Sequence, residues 1–338
     1  MVAISKVLES NLLARSTLPS GLVAVFAGAT AGIGEMALKA FTKHTLKPRI
    51  YFIGRSQEAG DRLQQELKRL NPEGTYNFIK TDMSLLKNVD AVCADIKSKE
   101  KAINVLFMSQ GTVKYSTNTS EGLPLITAVT LYSRTRLTVN LLPNLRQASS
   151  VRRVVTVMAA GHEGHIWADD IPGRKIPLRG ARGHLCTALT LSLEDLSRKA
   201  PEVSFIHNFP GAVDTNLIRR GDGIILQVVK YWFRLSMSLS RKWLPAEECG
   251  ERHAWLCLSG RYPPKEVGDG VNGVASDTIA AGADGKRGSG AYSLGWDGES
   301  SPDNVVKFLD KYRAEGMTEK VWDHLEDEFK RITGTTSI

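Results

Sequence analysis

A glycine-rich turn, Gly28-Ala29-Thr30-Ala31-Gly32-Ile33-Gly34, constrains this chain more than any other stretch, because an apolar run enters it and an amphipathic run leaves it. Residues 22–27 (LVAVFA) read as a buried strand, and residues 35–41 (EMALKAF) continue with apolar side chains at helical spacing. Glycines at 28, 32 and 34 let the backbone turn sharply, approach a pyrophosphate closely and pack the new helix on the sheet, with the helix N-terminus facing the anion. A second strand, residues 49–53, ends about 20 residues further on, where the ribose of a bound dinucleotide would lie. The pattern predicts a dinucleotide cradle built from Gly28, Thr30, Gly32, Ile33 and Gly34.

The rest of the chain keeps alternating strand and helix. Residues 57–70 read as a helix with Leu63, Leu67 and Leu70 on one face, 76–79 as a strand closed by Thr81-Asp82, and Val89, Val92 and Ile96 as the stripe of the next helix. Residues 103–108 form a fourth strand ending at Ser109-Gln110-Gly111, a long helix runs over 124–148, and 154–157 and 205–206 supply strands five and six. Strands alternating with helices imply parallel pairing through right-handed crossovers. The expected fold is α/β, a Rossmann-type doubly wound parallel sheet with a C-terminal helical extension. At 338 residues we expect a single domain, with a dinucleotide-binding core over 20–220.

Beyond the core, residues 223–244 carry Ile225, Val228, Val229, Trp232, Leu235 and Leu239 at helical period, interrupted by Lys230, Arg234 and Arg241. We expect this helix to pack on the sheet and contribute to a substrate mouth; peripheral membrane contact is the sharper alternative. Residues 246–258 read as a core helix, 267–290 as a loop or poorly ordered insertion, and 291–294 as a last strand. A charged amphipathic helix over 318–333 closes the chain, with Thr318 as its N-cap and Gly334 as its stop.

No run of 18 apolar residues exists, so a transmembrane segment is not expected. The net charge of +8 is spread along the chain rather than gathered in blocks, which argues against a nucleic-acid partner. Four cysteines without CxxC or zinc spacing, and no signal-like N-terminus, point to a cytoplasmic setting.

In motif order and spacing, residues 20–220 resemble the short-chain dehydrogenase/reductases. The resemblance implies that Asp82 contacts adenine, that Ser109 and Gly111 stand where the family has Asn-Ala-Gly, and that Pro210, Gly211 and Thr215 belong to the segment bearing the nicotinamide-side Thr. Arg55 and Ser56 follow the second strand, at the position that discriminates the ribose 2′ substituent. A guanidinium there suits a 2′-phosphate, so the expected cofactor is NADP(H).

The catalytic half departs from the family. Aligning residues 191–194 with the end of the catalytic helix puts Pro177 at the Tyr position and Ala181 at the Lys position of the family's Tyr-x-x-x-Lys pair. The family's Ser falls on Met158 or Ala159 and its Asn on Thr130, and no Tyr occurs between Tyr132 and Tyr231. His162 and His184 are therefore the expected acid or base, with Glu163 orienting the imidazole, and no metal is expected at His162, His165 and Asp169. The overall expectation is an NADP(H)-dependent oxidoreductase acting on a small apolar substrate from specialised metabolism. The alternatives are a non-redox isomerase, dehydratase or cyclase, and a cofactor-binding protein without chemistry. By analogy with the family, a homodimer through the long fourth and fifth helices is expected.

Overall fold

A computed structural model describes residues 1–115, 117–215, 243–268, 270 and 272–338. Seven strands form one parallel sheet: β1 (Val23–Ala27), β2 (Arg49–Gly54), β3 (Thr75–Lys80), β4 (Val105–Met108), β5 (Arg153–Val157), β6 (Ser204–Asn208) and β7 (Ala291–Leu294). Their order is β3-β2-β1-β4-β5-β6-β7, so the connection reverses direction between β1 and β4, and the doubly wound topology is as the alternation implied. The sheet does not stop near residue 220: β7 pairs with β6 in parallel, Phe205 opposite Ala291 and Asn208 opposite Leu294.

Each face of the sheet is covered by helices because successive strand residues point to opposite sides. Ala24 and Phe26 face a core formed with α1 (Ile4–Thr17), α2 (Gly32–His44), α3 (Gln57–Leu70) and α7 (Ala246–Leu258). Val23, Val25 and Ala27 face α4 (Leu86–Lys99), α5 (125–146) and α6 (Leu178–Lys199). In α5 the α-helical geometry is interrupted by a π-helical turn over Ala128–Tyr132. Two further helices, α8 (Asp303–Ala314) and α9 (Met317–Thr333), complete the described chain.

Several expectations change. The helix α1 has no strong apolar stripe to mark it in the sequence; it docks through buried Val7 and Ala14 and through Asn11, which donates to Glu251 Oε2 at 2.7 Å and to the Glu251 carbonyl at 2.9 Å. The 267–290 segment is a packed loop in its described residues: Val274, Ala280 and Ala283 are buried, and bridges join Ser259 to Val274 and Ala281 to Arg287. Gly316, in the left-handed region at φ 70°, is the N-cap of α9 in place of Thr318, which is buried; Gly334 ends the helix at φ 81°. The 223–244 helix falls outside the described residues apart from positions 243 and 244.

The dimer face expected on α5 and α6 is covered by the chain's own C-terminus. Arg136 on α5 is fully buried, bonded to Asp90 at 2.7 and 2.8 Å and to Thr333 and Thr335, with its guanidinium over Phe329 of α9. On α6, Glu194 takes two bonds from Arg313 of α8, and Lys199 lies over the Trp322 ring of α9. Among the described residues no helix is long and apolar enough to cross a membrane.

Candidate functional site

The carboxyl ends of β1, β2, β4, β5 and β6 open on one crevice, at the reversal point where open α/β sheets bind ligands. Gly28 leaves β1 at φ 78°, and a Cβ there would run into the backbone nitrogen of Gln110 after β4. A Cβ on Gly34 would strike the Ser109 hydroxyl and come within 2.5 Å of the Gly28 carbonyl oxygen. Ser109 Oγ fastens the two segments by donating to the Gly28 carbonyl at 3.2 Å. The glycine turn is therefore seated on the β4 loop, and Gly32, Ile33 and Gly34 open α2 with their N–H groups unclaimed by the helix.

The other expected cofactor residues follow the carboxyl ends of β2, β3, β4 and β6. Thr30 packs against Gly54, where any Cβ would collide with it, so Arg55 lies beside the turn. Arg55 is exposed and forms no ion pair among the described residues, while Ser56 caps α3 by accepting from the Ala59 N–H at 3.3 Å. Asp82 follows β3 and is held by the Ser84 N–H on its Oδ1 at 3.0 Å. Gly111 is exposed; Pro210 and Gly211 (φ 76°) carry the chain from β6 to Thr215, whose methyl lies 3.4 Å from where a Gly32 Cβ would stand.

The expected catalytic residues separate into two environments. His162 is exposed, with its ring edge-on to Phe209 at a centroid distance of 4.9 Å. Glu163, the next residue, turns inward: its side chain is fully buried, and Oε1 accepts from Thr190 Oγ1 and Ser293 Oγ, both at 2.8 Å. Glu163 therefore does not orient His162. Burial holds its carboxyl above the ordinary range against the bonds from Ser293 and Thr190.

His184 also leaves the expected role. Its Nδ1 accepts from the Trp167 N–H at 3.2 Å and its Nε2 donates to the Ile171 carbonyl at 2.9 Å, so both nitrogens hold the β5–α6 loop and neither is free to move a proton. His165 bonds Tyr312, and Asp169 pairs with Lys320, so these two side chains and His162 diverge rather than share a centre.

The structure also changes the register of α6. Cys186 Sγ donates to the Ala159 carbonyl at 3.2 Å, and Thr190 reaches Glu163 one turn later. The stripe facing the end of β5 is thus Arg182, Cys186 and Thr190, four residues apart, whereas Pro177 is the N-cap and Ala181 is buried. Arg182 is exposed at the mouth end of this stripe, its guanidinium 5.4 Å from the centroid of Phe209. Thr130 is buried in the π-helical turn of α5, its hydroxyl donating to the Ile126 carbonyl at 2.6 Å.

Two further residues belong to this region. Arg134 is fully buried and donates to Thr156 Oγ1 (2.6 Å), the Val157 carbonyl (2.9 Å) and the Gln110 carbonyl (2.5 Å), tying the β4 loop to the end of β5. No carboxylate pairs with it among the described residues, and burial pulls its pKa down to about 9. Tyr115, on the loop after β4, is 40% exposed; burial raises its pKa, and the Arg182 charge pulls the other way. Its place on a long loop gave no periodic signal to find it by.

His207, in β6, is fully buried. Its Nε2 accepts from the Ala159 N–H at 3.2 Å and its Nδ1 donates to Thr190 Oγ1 at 2.8 Å. Burial, with Arg134 adding to it, lowers its pKa to about 3, so the ring is neutral. Ala159, one of the two positions matched to the family's Ser, is pinned on its N–H by His207 and on its carbonyl by Cys186.

Comparison with known proteins follows the same outline. The short chain dehydrogenase model matches residues 22–168. An oxidoreductase of Emericella nidulans is 37% identical, over 96% of this chain and 97% of its own length. One of Emericella variicolor is 32% identical, over 99% of each chain. A short-chain dehydrogenase/reductase of Stachybotrys chartarum is 30% identical, over 91% of this chain and 92% of its own length. Among solved structures, L-sorbose reductase from Gluconobacter frateurii, complexed with NADPH and L-sorbose, superposes with a TM-score of 0.54 at 17% identity, covering 77% of this chain and 96% of that one.

Proposed function

The chain belongs to the short-chain dehydrogenase/reductase family, and from that premise we propose that it is an oxidoreductase preferring NADP(H) that acts on a small apolar organic compound, an intermediate of specialised metabolism, without the family's Asn-Ser-Tyr-Lys tetrad. The observation that carries the cofactor reading is the tightness of the turn: Cβ atoms on Gly28 and Gly34 would collide with Gln110 and Ser109 of the β4 loop, so only glycine lets the turn seat there, and Arg55 stands exposed beside it with no ion pair among the described residues.

Gly28, Thr30, Gly32, Ile33 and Gly34 would hold the pyrophosphate with backbone N–H groups and the α2 N-terminus. Arg55 and Ser56 would take the 2′-phosphate, Asp82 the adenine, and Ser109, Gly111, Pro210, Gly211 and Thr215 the nicotinamide half. The bound nicotinamide supplies or accepts the hydride; what the chain supplies is orientation, charge and the accompanying proton. His162 is the expected group that retains a free imidazole at the mouth, beside the apolar wall of Phe209. The four cysteines are buried thiols, as a cytosolic setting would leave them.

A calorimetric titration of the cofactor-free protein with NADPH and then NADH tests this reading. Micromolar binding of NADPH well ahead of NADH is expected. Binding of neither would overturn it.

A further inference from the structure

Around Phe209 the mouth gathers two hydrogen-bond donors, Arg182 and His162, that find no acceptor among the described residues. Arg182 lies on the ring face at 5.4 Å and His162 meets the same ring edge-on at 4.9 Å. The two are close enough that the Arg182 charge adds to burial in depressing the His162 pKa. Tyr115 on the β4 loop lies within the field of Arg182. Arg182 makes no hydrogen bond or ion pair with a described residue; its planar donor fork rests only on an aromatic face. It also occupies the mouth end of the Arg182-Cys186-Thr190 stripe, one helical turn outward from the thiol that anchors α6 to the end of β5.

We propose that Arg182 receives the reacting oxygen of the substrate, and that the mouth takes an apolar carbonyl compound whose oxygen bears negative charge during turnover. The inference rests on the oxidoreductase reading above. In the reducing direction, two electrons and a hydrogen nucleus from the reduced nicotinamide form a C–H bond at the carbonyl carbon, and the C–O π pair moves to oxygen. The guanidinium meets that negative charge with a paired set of N–H donors. A proton from the His162 imidazolium then forms the O–H bond, its N–H pair returning to the ring, and solvent reprotonates the exposed imidazole. Arg182 thus supplies the charge stabilisation that the family draws from its Tyr-Lys pair, with a donor that never gives up its own proton.

The test uses 2-naphthoate, a flat apolar oxyanion, titrated calorimetrically into the full-length protein saturated with NADP⁺, for the native protein and for Arg182→Ala and Arg182→Lys. Because Arg182 is exposed, neither substitution threatens folding. The native complex is expected to bind 2-naphthoate, Arg182→Ala to weaken it about 10–100-fold, the loss of one charge-assisted contact, and Arg182→Lys to retain part of it. NADPH affinity is expected to be unchanged in both variants. Absence of 2-naphthoate binding to the native protein, or equal binding by Arg182→Ala, overturns the inference while leaving the cofactor reading intact. If NADPH itself fails to bind, the oxidoreductase reading falls. The same titration without nucleotide then judges Arg182 separately: loss of 2-naphthoate binding in Arg182→Ala upholds its oxyanion role, and unchanged binding removes it.

Discussion

Gly164 and Gly183 meet backbone to backbone: a Cβ on Gly183 would stand 2.8 Å from the Gly164 Cα, and one on Gly164 would stand 2.9 Å from the Gly183 Cα. Their contact is sealed by Gly164 N–H bonds to the Gly183 carbonyl (3.2 Å) and Thr187 Oγ1 (3.0 Å). It holds the β5 loop against α6, so that His162 and Arg182, each close to one of these glycines, arrive at the same aromatic ring.

Alanine at either glycine has no room at a backbone-to-backbone contact. Gly183→Ala is expected to cost about 1–3 kcal/mol and to lower the melting temperature by several degrees. It should also reduce turnover per folded molecule by separating His162 from Arg182. Differential scanning calorimetry with an activity assay reads both, and an unchanged melting temperature would contradict the packing described.

Arg55→Ala removes the guanidinium placed to meet a 2′-phosphate. The dissociation constant for NADPH should rise about 10–100-fold while that for NADH stays within a factor of about two, since one charge-assisted bond is worth about 1.5–3 kcal/mol. Parallel losses for both nucleotides would show that Arg55 does not read the 2′ position.

His184→Ala separates structure from catalysis. Both ring nitrogens bond backbone groups of the β5–α6 loop, so its removal leaves a buried N–H and a buried carbonyl unpaired, at about 1–3 kcal/mol each. Thermal unfolding should drop markedly while kcat of the remaining folded enzyme holds at low temperature. A selective loss of kcat with native stability would return His184 to a catalytic role.

The pH dependence of turnover has a definite sign. Burial, and after it the Arg182 charge, hold His162 below its ordinary 6.5. Carbonyl reduction needs the imidazolium, so the rate should fall as pH rises through a midpoint below 6.5, and the reverse oxidation should gain over the same interval. His162→Ala should abolish that midpoint; its persistence would assign it to another group.

Acid stability rests on Glu251, which joins α1, α2 and α7. Burial alone would raise its pKa, but bonds from His44, Asn11 and Lys43 override this and lower it from 4.5 to about 2. A depressed carboxylate stabilises the fold fully above about 4.5, and that contribution, on the order of 3 kcal/mol, is lost as pH falls towards about 2. Glu251→Gln should flatten the denaturant midpoint between pH 5 and about 3, and an unchanged slope there would remove Glu251 from the account.

Where the sequence was legible, the signal was local. The helix at Gln57–Leu70 and the strand Ala291–Leu294 follow from short-range periodicity, and the glycines at 28, 32 and 34 announce a turn that larger residues cannot make. The catalytic half was less legible because its register depends on which turn of α6 meets β5. Counting back from residues 191–194 selected Pro177 and Ala181; the Cys186 bond to Ala159 places Arg182 and Cys186 there instead.

The sequence by itself determined the doubly wound sheet and the cofactor turn, since these depend on apolar periodicity and on backbone angles that glycine alone adopts freely. Only the tertiary structure decided what the polar residues near β5 do. Neighbours in sequence parted, Glu163 into the core and His162 to the mouth, while Arg182 came from a distant segment to share the Phe209 ring with His162. It also turned α8 and α9 back over the face where a partner subunit had been expected. A side chain's chemistry depends on its solvation and its partners, and both are fixed by packing between segments that no local pattern records.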